Sequence, residues 1–447
     1  MTYRISEEAE SVIRALNSAG YSAYIVGGAV RDLVMNKAPH DWDIATSALP
    51  GETEKVFEGN RVIETGIKHG TVTVIENGKP FEITSFRIES GYSDKRRPDS
   101  VSFTTDLECD LSRRDFTCNA LAYHPDEGIV DCFGGISDIE NKIIRCVGDP
   151  DKRFDEDALR ILRALRFASV LGFEIDKETA ASLKRNAKLL EYVSSERIFI
   201  EISKLLCGIN VKEILLDYPD VIFGVFPELA PMKGCAQNHE RHIYDVWEHT
   251  VCSVSEIRAD RDLRLAMLFH DCGKPSVKFT DENGIDHFYG HADKSVETAD
   301  AVLRRMKTSN SIRKHVTDLI KYHGFVPQNL SEKTYGRYIR QLGEETVREL
   351  FEVRLADVKA QSPDFLAEEI ENNRKGLETL ENYLSSNNCF SLRNLAVSGN
   401  DLMQIGFSGD RNLGKALNIL LDEVIGKKIN NEKSALLKRA KEILKND

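Results

Sequence analysis

The 447-residue sequence lacks the features that mark an exported or membrane-bound protein. No apolar run approaches the roughly 20 residues that a transmembrane helix needs. The amino terminus, MTYRISEEAESVIRALNSAG, is charged and amphipathic and does not resemble a signal peptide. The nine cysteines stand singly, without a CxxC pair. These absences predict reduced thiols in a cytoplasmic protein without a membrane partner, and they argue against disulfides and a zinc ribbon.

The chain also lacks a positive net charge, since its acidic residues outnumber the basic ones to give −12. Nucleic-acid-binding domains usually carry a basic surface, so this balance disfavours RNA binding except through a local basic patch. One such patch lies at 427–447, where seven Lys or Arg stand against three acidic residues. A chain of this length predicts more than one domain, because single cores rarely exceed about 250–300 residues. No feature of the sequence points to a protein partner.

The most informative stretch is a β-prone run that ends at the pair Gly27-Gly28 and is soon followed by Arg31. Paired glycines let backbone N–H groups approach a phosphate closely. Asp41 and Asp43 follow, two residues apart. On a strand this spacing puts both carboxylates on one face. Hard oxygen ligands held together suit Mg²⁺, which usually binds one or two carboxylates together with substrate phosphates.

The first 145 residues are predicted to form a small mixed β-sheet with a few helices. Helices are expected at 6–19 and 50–57, and strands at 61–66, 71–75 and 81–86. Asn77-Gly78 lies between the last two strands and predicts a hairpin turn. Glu82 on the last strand would bring a third carboxylate to a metal site, or it is a polar residue on the solvent face. Beyond residue 145 the pattern is almost entirely helical.

Two further segments carry clustered charge. The segment 112–120, SRRDFTCNA, is predicted to open a helix with Ser112 as its N-cap, so that its arginines, Arg114 among them, neutralise a triphosphate. The segment 154–171 is predicted to be one helix. Asp157, Arg160 and Arg163 recur on it every three residues and therefore line one face. Taken alone, that face is equally typical of a helix stabilised by ion pairs.

Together the GGxVRD, DxD and RRDFTxNA patterns resemble the signatures of the class II tRNA nucleotidyltransferases, the CCA-adding enzymes, and of the related bacterial poly(A) polymerases. The resemblance implies an α+β fold, with a polymerase-β-like head followed by an all-α remainder. It implies that CTP and ATP donate CMP, CMP and AMP to the 3′ end of tRNA without a nucleic-acid template. It implies catalysis by Asp41, Asp43 and Glu82, with Mg²⁺ on the two aspartates. The implied nucleotide-binding residues are Gly28, Arg31, Arg114, Asp157, Arg160, Arg163 and Arg166.

In the family that this chain resembles, the helix at 154–171 serves as an amino-acid template for the incoming base. Cytosine and adenine both present an exocyclic amino donor beside a ring-nitrogen acceptor. Asp157 would accept from the first and Arg160 would donate to the second. Uracil and guanine reverse part of this pattern and leave groups unpaired, at about 1–3 kcal/mol each. A poly(A) polymerase, or an enzyme that adds only CC or only A, shares these motifs and remains an alternative.

A second constellation occurs further along the chain, and its order H…HD…H…H…D resembles the HD phosphohydrolase superfamily. Its members are His249, His270, Asp271, His291, His323 and Asp357. Histidine and aspartate together suit divalent transition metals such as Mn²⁺, Ni²⁺ or Co²⁺, which activate water against a phosphate ester. The resemblance implies a phosphatase or phosphodiesterase activity. A different hypothesis is an HD metallophosphohydrolase whose head only binds RNA, and a third is a tRNA-binding module without either activity.

The two resemblances together imply four domains. These are a catalytic head at 1–145, a helical neck for base recognition at 146–230, an HD domain at 231–362, and a helical tail at 363–447 that binds tRNA. The tail includes the basic patch, with a helix expected at 433–445.

Overall fold

A computed structural model describes residues 3–67, 70–92, 98–327, 330–386, 389, 392–409, 411–426 and 428–446. Lys427 and Asp447 of the basic patch lie outside these residues. The chain divides into two compact units, Met1–Pro227 and Glu228–Asp447. Within the described ranges, no helix is long and apolar enough to cross a membrane.

The first unit is built on a seven-stranded mixed sheet. The strands of the first unit, seven of them in this sheet, are in chain order β1 (Ala23–Val26), β2 (Ile44–Thr46), β3 (Arg61–Gly66), β4 (Thr71–Glu76), β5 (Lys79–Ser85), β6 (Arg87–Ser90), β7 (Ser100–Phe103), β8 (Leu121–His124), β9 (Gly128–Asp131), β10 (Ile143–Ile144) and β11 (Glu174–Ile175). The sheet has the order β3-β4-β5-β2-β1-β8-β9, while β6 pairs with β7 and β10 with β11. Only β2 and β5 run parallel within the large sheet, as far as the described pairings go.

The hairpin between β4 and β5 forms where the sequence predicts it. Asn77 and Gly78 both have positive φ, 48° and 81°, which is the backbone geometry of a tight turn between twisted strands. The turn sets the register, and Val74 pairs with Phe81, both buried. The parallel pairing of β2 with β5 then aligns Ile44 with Ile83 at the centre of the sheet.

Helices surround the sheet and continue beyond it to form the rest of the first unit. They are α1 (Glu7–Ser18), α2 (Gly28–Val34), α3 (Pro50–Val56), α4 (Leu107–Ser112), α5 (Gly135–Glu140), α6 (Pro150–Glu156), α7 (Leu159–Leu171), α8 (Lys177–Asn186), α9 (Ser195–Leu206), α10 (Val211–Asp217) and α11 (Pro219–Val225). The first helix shows why they form, since Ser6 caps it and Val12, Ile13 and Leu16 bury one face.

Among its described residues, the second unit has helices and one short hairpin, β12 (Phe279–Thr280) and β13 (Asp286–His287). Its helices are α12 (Val246–Glu256), α13 (Arg261–Phe269), α14 (Lys274–Val277), α15 (His291–Arg305), α16 (Asn310–Tyr322), α17 (Glu332–Leu342), α18 (Glu344–Lys359), α19 (Pro363–Ser386), α20 (Gly399–Gln404), α21 (Arg411–Ile425) and α22 (Lys433–Asn446). The expected fold class, a mixed-sheet head followed by helices, is therefore confirmed.

Candidate functional site

The carboxylates Asp41 and Asp43 lie immediately before β2 rather than on it, which corrects the expectation that they occupy a strand. Asp43 still joins the sheet through its backbone, because its carbonyl accepts a hydrogen bond from the Val26 amide at 3.0 Å. Ile44 of β2 pairs with Ile83 of the parallel strand β5, and Asp43 and Glu82 each stand one residue before this pair. Paired positions of adjacent strands share a face. The sheet thus brings Glu82 beside Asp43.

The electrostatics agree with this gathering of negative charge. Burial against the surrounding protein raises the pKa of Asp43, and the charges of Glu82 and Asp41 raise it further, while Arg114 opposes the rise. Asp43 nevertheless keeps solvent access, since it lines an open cavity. Mutual repulsion among three carboxylates is relieved by a bound cation, and oxygen ligands of this kind fit Mg²⁺.

The glycine turn lies on the same cavity. Gly27 has φ +74° and ψ −134°, a backbone conformation that favours glycine, and a Cβ there would also stand 3.2 Å from the Arg114 guanidinium. Arg31, in α2, donates from Nη1 to the Asn119 Oδ1 at 2.8 Å. It also contacts Asp32 at 2.7 Å. Arg31 is thereby held beside the glycine turn, and the Arg114 guanidinium lies next to Gly27.

The arginine pair of the RRDFT segment follows a helix instead of opening one. Ser112 is the last residue of α4 and not an N-cap, because Asp106 caps that helix by accepting from the Glu108 amide at 2.9 Å. Arg114 contacts the buried Asp110 at 3.2 Å. Burial alone would raise the pKa of Asp110, but Arg113 and Arg114 outweigh it and lower the value. The carboxylate therefore stays ionised and holds both guanidinium groups.

The predicted helix at 154–171 is broken in two, and Asp157 sits in the break between α6 and α7. Its backbone is extended, with φ −139° and ψ 102°. The Asp157 Oδ1 accepts from the Leu159 amide at 3.1 Å. Asp often competes with helix continuation in this way, because its side chain bonds to nearby backbone N–H groups. Asp157, Arg160 and Arg163 therefore do not share one continuous helix.

Each of the three base-reading candidates has an intramolecular partner. Asp157 pairs with Arg197 of α9 at 2.8 Å. Arg160 is buried and contacts Glu156 at 2.7 Å. Arg163 donates from Nε to Asp115 at 2.7 Å.

Buried Asp115 would have a raised pKa from desolvation alone, but Arg163 outweighs this effect and lowers the pKa to about 2. An Asp115 carboxylate that stays ionised holds Arg163 in a fixed orientation. Arg166 contacts Glu201 at 3.1 Å, with its guanidinium 4.0 Å from the Phe167 ring centre. Arg166 therefore contacts Glu201 and Phe167 and does not line the cavity that Arg160 and Arg163 line.

A single cavity of about 480 Å³ joins most of these groups. Its lining comprises Gly27, Gly28, Arg31, Asp43, Arg113, Arg114, Asp115, Asn119, Asp157, Leu159, Arg160, Arg163, Phe167 and Arg197. Asp41, Glu82 and Arg166 do not line it. Sequence reasoning overlooked Asp115 and Asn119, although both belong to the RRDFTxNA pattern. Arg197 was not among the predicted site residues, since nothing in a single sequence links it to Asp157, 40 residues away.

The second unit brings together all six predicted HD residues. The ligand atoms of His249, His270 and Asp271 lie within 4.8 Å of one another, and so do those of Asp271, His291 and His323. Asp271 thus joins two overlapping triads. Asp357 approaches from α18, with its Oδ1 3.0 Å from the His249 Nε2.

The four histidines of this centre share one arrangement: each Nδ1 faces a backbone carbonyl and each Nε2 faces the carboxylates. The carbonyls belong to Ala360, Met267, Phe288 and Ile320 at 3.2, 2.7, 2.8 and 2.7 Å, for His249, His270, His291 and His323 respectively. Carbonyls in this position fix the tautomer that leaves Nε2 free as a ligand.

The donor set fits a divalent transition metal. The Nε2 atoms of His249 and His270 and the Asp271 Oδ1 are buried and form no well-directed hydrogen bond, while the Asp271 Oδ2 lies 2.6 Å from the Lys274 Nζ. Buried polar atoms that converge without such bonds are costly unless a ligand satisfies them. Burial would raise the pKa of Asp271, but His270 and Lys274 hold it well below its usual range, so the carboxylate is ionised as a metal ligand must be.

Comparison with known proteins agrees with the head fold. The model of the poly A polymerase head domain matches residues 23–145. The model described as the probable RNA and SrmB-binding site of polymerase A matches 172–232, and that of tRNA nucleotidyltransferase domain 2 matches 280–440. A CCA-adding enzyme from Pediococcus pentosaceus is 50% identical over 202 residues, which is 45% of this chain and half the length of that relative.

Two further matches extend over the whole chain. The CCA-adding enzyme of Lacticaseibacillus paracasei is 34% identical over 433 residues, 97% of this chain and 95% of the relative. The crystal structure of Bacillus stearothermophilus CCA-adding enzyme in complex with CTP is similar with a TM-score of 0.72 and 30% identity over 99% of both chains. This chain therefore belongs to the CCA-adding enzymes, a family of tRNA nucleotidyltransferases.

Proposed function

We propose that the cavity of the first unit adds CMP, CMP and AMP from CTP and ATP to the 3′ end of tRNA. The tRNA 3′-hydroxyl attacks the α-phosphate, a P–O bond forms to the RNA, the bond to pyrophosphate breaks, and the hydroxyl proton leaves to solvent. The observation that carries this proposal is the shared cavity, in which the carboxylate Asp43, several arginines and Asp157 meet. Metal ligands, triphosphate partners and a base reader are the three parts that the reaction needs.

Asp41 and Asp43 hold Mg²⁺ in this proposal, and Glu82 adds negative charge beside them. The support is the raised pKa of Asp43, which burial and then Glu82 cause and which a bound cation would reverse. When bound, Mg²⁺ supplies Lewis-acid stabilisation of the attacking and leaving oxygens.

Arg31 and Arg114 bind the triphosphate, with the Gly27-Gly28 turn leaving room for it. Both guanidinium groups line the cavity, and both are held by internal acceptors, Asn119 and Asp110. Arginine held in place this way loses little side-chain entropy when it binds a phosphate. Removing the Arg114 side chain would also leave the buried Asp110 with one guanidinium fewer.

Asp157 and Arg160 read the base, Arg163 helps to position it, and Arg166 supports this group of side chains. Asp157 accepts from the amino group of cytosine or adenine, and Arg160 donates to the adjacent ring nitrogen. Their internal partners, Arg197 and Glu156, fix the two side chains before the nucleotide arrives. A rigid reader leaves the reversed groups of uracil and guanine unpaired.

Nucleotide use by the purified enzyme tests this function. A tRNA that ends before CCA is incubated with CTP alone, with ATP alone, or with both. We expect two nucleotides added with CTP, none with ATP alone, and three with both. Unlimited extension with ATP alone would identify a poly(A) polymerase instead. Addition that stops at CC would identify an enzyme that adds only CC, and addition that requires CC already present would identify one that adds only A.

The second unit supports a second function, metal-dependent hydrolysis of a phosphate ester. The observation that favours it is the set of four imidazoles whose Nε2 atoms converge on Asp271 and Asp357. These residues would hold a transition metal such as Mn²⁺, Ni²⁺ or Co²⁺. A bound metal of this kind supplies a nucleophile by lowering the pKa of water. Lys274, 2.6 Å from Asp271, would orient that carboxylate.

Asp271→Ala tests this second function, because Asp271 belongs to both triads of the centre. We expect the variant to lose bound metal and phosphoester hydrolysis together, while nucleotide addition continues. Metal content is measured by mass spectrometry. Phosphoester hydrolysis is assayed separately, with Mn²⁺, Ni²⁺ or Co²⁺ added. The control is His315→Ala, a histidine of the same unit that contacts Glu349 at 3.1 Å. Equal hydrolysis by wild type and Asp271→Ala would refute the function.

We assign the four domains as 1–145 for catalysis, 146–230 for base recognition, 231–362 for hydrolysis and 363–447 for tRNA binding, in a cytoplasmic enzyme. The support for the tail comes from α22. Leu436, Ala440 and Ile443 bury one of its faces. Its exposed lysines are Lys433, Lys438, Lys441 and Lys445. A lysine-rich surface of this kind binds RNA through its phosphates and shape.

A further inference from the structure

One aromatic ring of the first unit contacts arginines on both sides of the nucleotide cavity. Phe167 belongs to α7 and lines this cavity of about 480 Å³. Its ring centre lies 4.0 Å from the guanidinium carbon of Arg166, 5.4 Å from that of Arg163 and 5.5 Å from that of Arg31. These separations are within the roughly 6 Å at which a ring attracts a cation. Guanidinium groups from two helices therefore meet at one ring.

Each of the three arginines also has a carboxylate partner. The pairs are Arg31 with Asp32 at 2.7 Å, Arg163 with Asp115 through its Nε at 2.7 Å, and Arg166 with Glu201 at 3.1 Å. The three carboxylates belong to different segments of the chain, so these ion pairs hold the arginines separately. Phe167 is the group that all three arginines share.

The crowding of the guanidinium groups has an electrostatic cost. Burial lowers the pKa of Arg166, Glu201 opposes this effect, and the charges of Arg163 and Arg31 lower the pKa further. Like charges that repel one another need a packed group to keep their spacing. The π face of Phe167 attracts each guanidinium and so provides that group.

The ring of Phe167 is itself held in place. It packs edge-to-face against the ring of Phe116, with 5.7 Å between the ring centres and an interplanar angle of 77°. Phe116 is fully buried. A ring anchored in the core on one side and facing the cavity on the other can set the position of the charged groups around it.

A polar path joins two of the same arginines. Arg31 donates from Nη1 to the Asn119 Oδ1 at 2.8 Å, and the Asn119 Nδ2 donates to the Asp115 Oδ1 at 3.3 Å. The other oxygen of Asp115 accepts from Arg163. Arg31 and Arg163 are thus linked twice, once through the Asn119 amide and once through the Phe167 ring.

We propose that Phe167 is a positioning residue that couples the two halves of the nucleotide site. Its ring keeps Arg31, a triphosphate arginine, at a fixed separation from Arg163 and Arg166, which accompany the base readers. An incoming nucleotide then meets phosphate and base contacts that are already spaced for one molecule, so less ordering is needed on binding. This inference rests on the proposed function, which assigns Arg31 to the triphosphate and the arginines of α7 to the base.

Nucleotide binding to the full chain tests the coupling without requiring transfer. Titration calorimetry with Mg²⁺ and without tRNA measures the affinities for CTP, for UTP and for inorganic triphosphate, which has the phosphates but no base. Phe167→Leu and Phe167→Met remove the ring and keep an apolar side chain, whereas Phe167→Tyr keeps the ring. Phe57→Leu is the matched control, because Phe57 is a buried phenylalanine of the same unit that does not line the cavity.

We expect both ring-removing variants to bind inorganic triphosphate about threefold more weakly, as the loss of one cation–π contact does. They should bind CTP about tenfold more weakly, because base contacts are lost as well, and their preference for CTP over UTP should fall about threefold. The Asn119 path keeps these losses partial. Phe167→Tyr and Phe57→Leu should bind all three probes as wild type does.

Two ring-removing variants are used because either could disturb the packing against Phe116, and thermal unfolding identifies a variant that has lost its fold. A purely structural role of Phe167 would weaken CTP and UTP equally and leave the preference between them unchanged. A loss of affinity in Phe167→Tyr as large as that in Phe167→Leu would likewise assign the effect to packing and overturn the proposal.

Unchanged binding of inorganic triphosphate by the ring-removing variants would overturn the coupling, since the ring would then act on the base alone. An unchanged preference for CTP over UTP would also overturn it, since the ring would then act on the phosphates alone. A wild type that binds CTP and UTP equally would contradict the proposed base reading and the coupling together. A wild type that prefers CTP, with ring-removing variants that keep this preference, would contradict the coupling only.

Discussion

At the scale of single residues, the carboxylates matter most through the guanidinium groups that they hold. Asp115 is 8% exposed and pairs with Arg163, and this pairing outweighs burial to lower the pKa of Asp115 to about 2. Asp115 lies in the RRDFT pattern, so its identity was visible in the sequence. Its partner 48 residues away was not, because an ion pair between distant segments leaves no local periodicity.

The Asp115–Arg163 pair makes stability depend on pH. The folded-state pKa of Asp115 is depressed, so its contribution is complete above the unfolded value near 4 and declines as pH falls from about 4 towards 2. We expect Asp115→Ala to lower the free energy of unfolding by about 2–3 kcal/mol at pH 7, less than for a fully buried pair because Arg163 is partly exposed. The difference from wild type should shrink at pH 3. Urea unfolding at both values measures it.

The control for this prediction is Glu10→Ala, which removes the exposed pair with Arg14. We expect it to cost less than about 0.5 kcal/mol at either pH, as exposed pairs on a helix do. A cost for Asp115→Ala that matches this control, or one that grows as the pH falls, would contradict the role given to the pair.

At the scale of elements, the regular parts of the head could be predicted and the interrupted parts could not. The hairpin between β4 and β5 follows from alternation and the Asn77-Gly78 turn, both of which are local. The break at Asp157 is not visible from helix periodicity, since the apolar spacing from 154 to 171 continues through it. The helix breaks because the Asp157 side chain accepts a hydrogen bond from the Leu159 amide and pairs with Arg197.

The same limit applies to helix packing in the second unit. The order of the six HD residues predicted a metal centre, but not how five segments meet there. Gly273 illustrates the missing information. A Cβ on this residue would stand 2.4 Å from the His291 carbonyl, so only glycine lets α14 approach α15. That close approach brings Asp271 and His291 together, with 3.4 Å between their ligand atoms.

At the scale of the whole molecule, the chain combines two chemically distinct centres in two units. The first gathers carboxylates and arginines, which suits Mg²⁺ and a nucleoside triphosphate. The second gathers imidazoles around buried carboxylates, which suits a transition metal. In the proposed arrangement, the net charge of −12 does not oppose tRNA binding, because the exposed lysines of α22 form a local basic surface.

The central claim is that Asp43 lies at the centre of nucleotidyl transfer, and incorporation of labelled CMP and AMP by Asp43→Asn tests it most directly. The control is Asp126→Asn, an exposed aspartate of the same unit. We predict that Asp43→Asn loses about two to three orders of magnitude in rate, because it weakens a ligand of the Mg²⁺ that would stabilise the reacting phosphate. Its thermal stability should be unchanged. Asp126→Asn and Asp271→Ala should incorporate both nucleotides normally. Incorporation by Asp43→Asn at the wild-type rate would contradict the account.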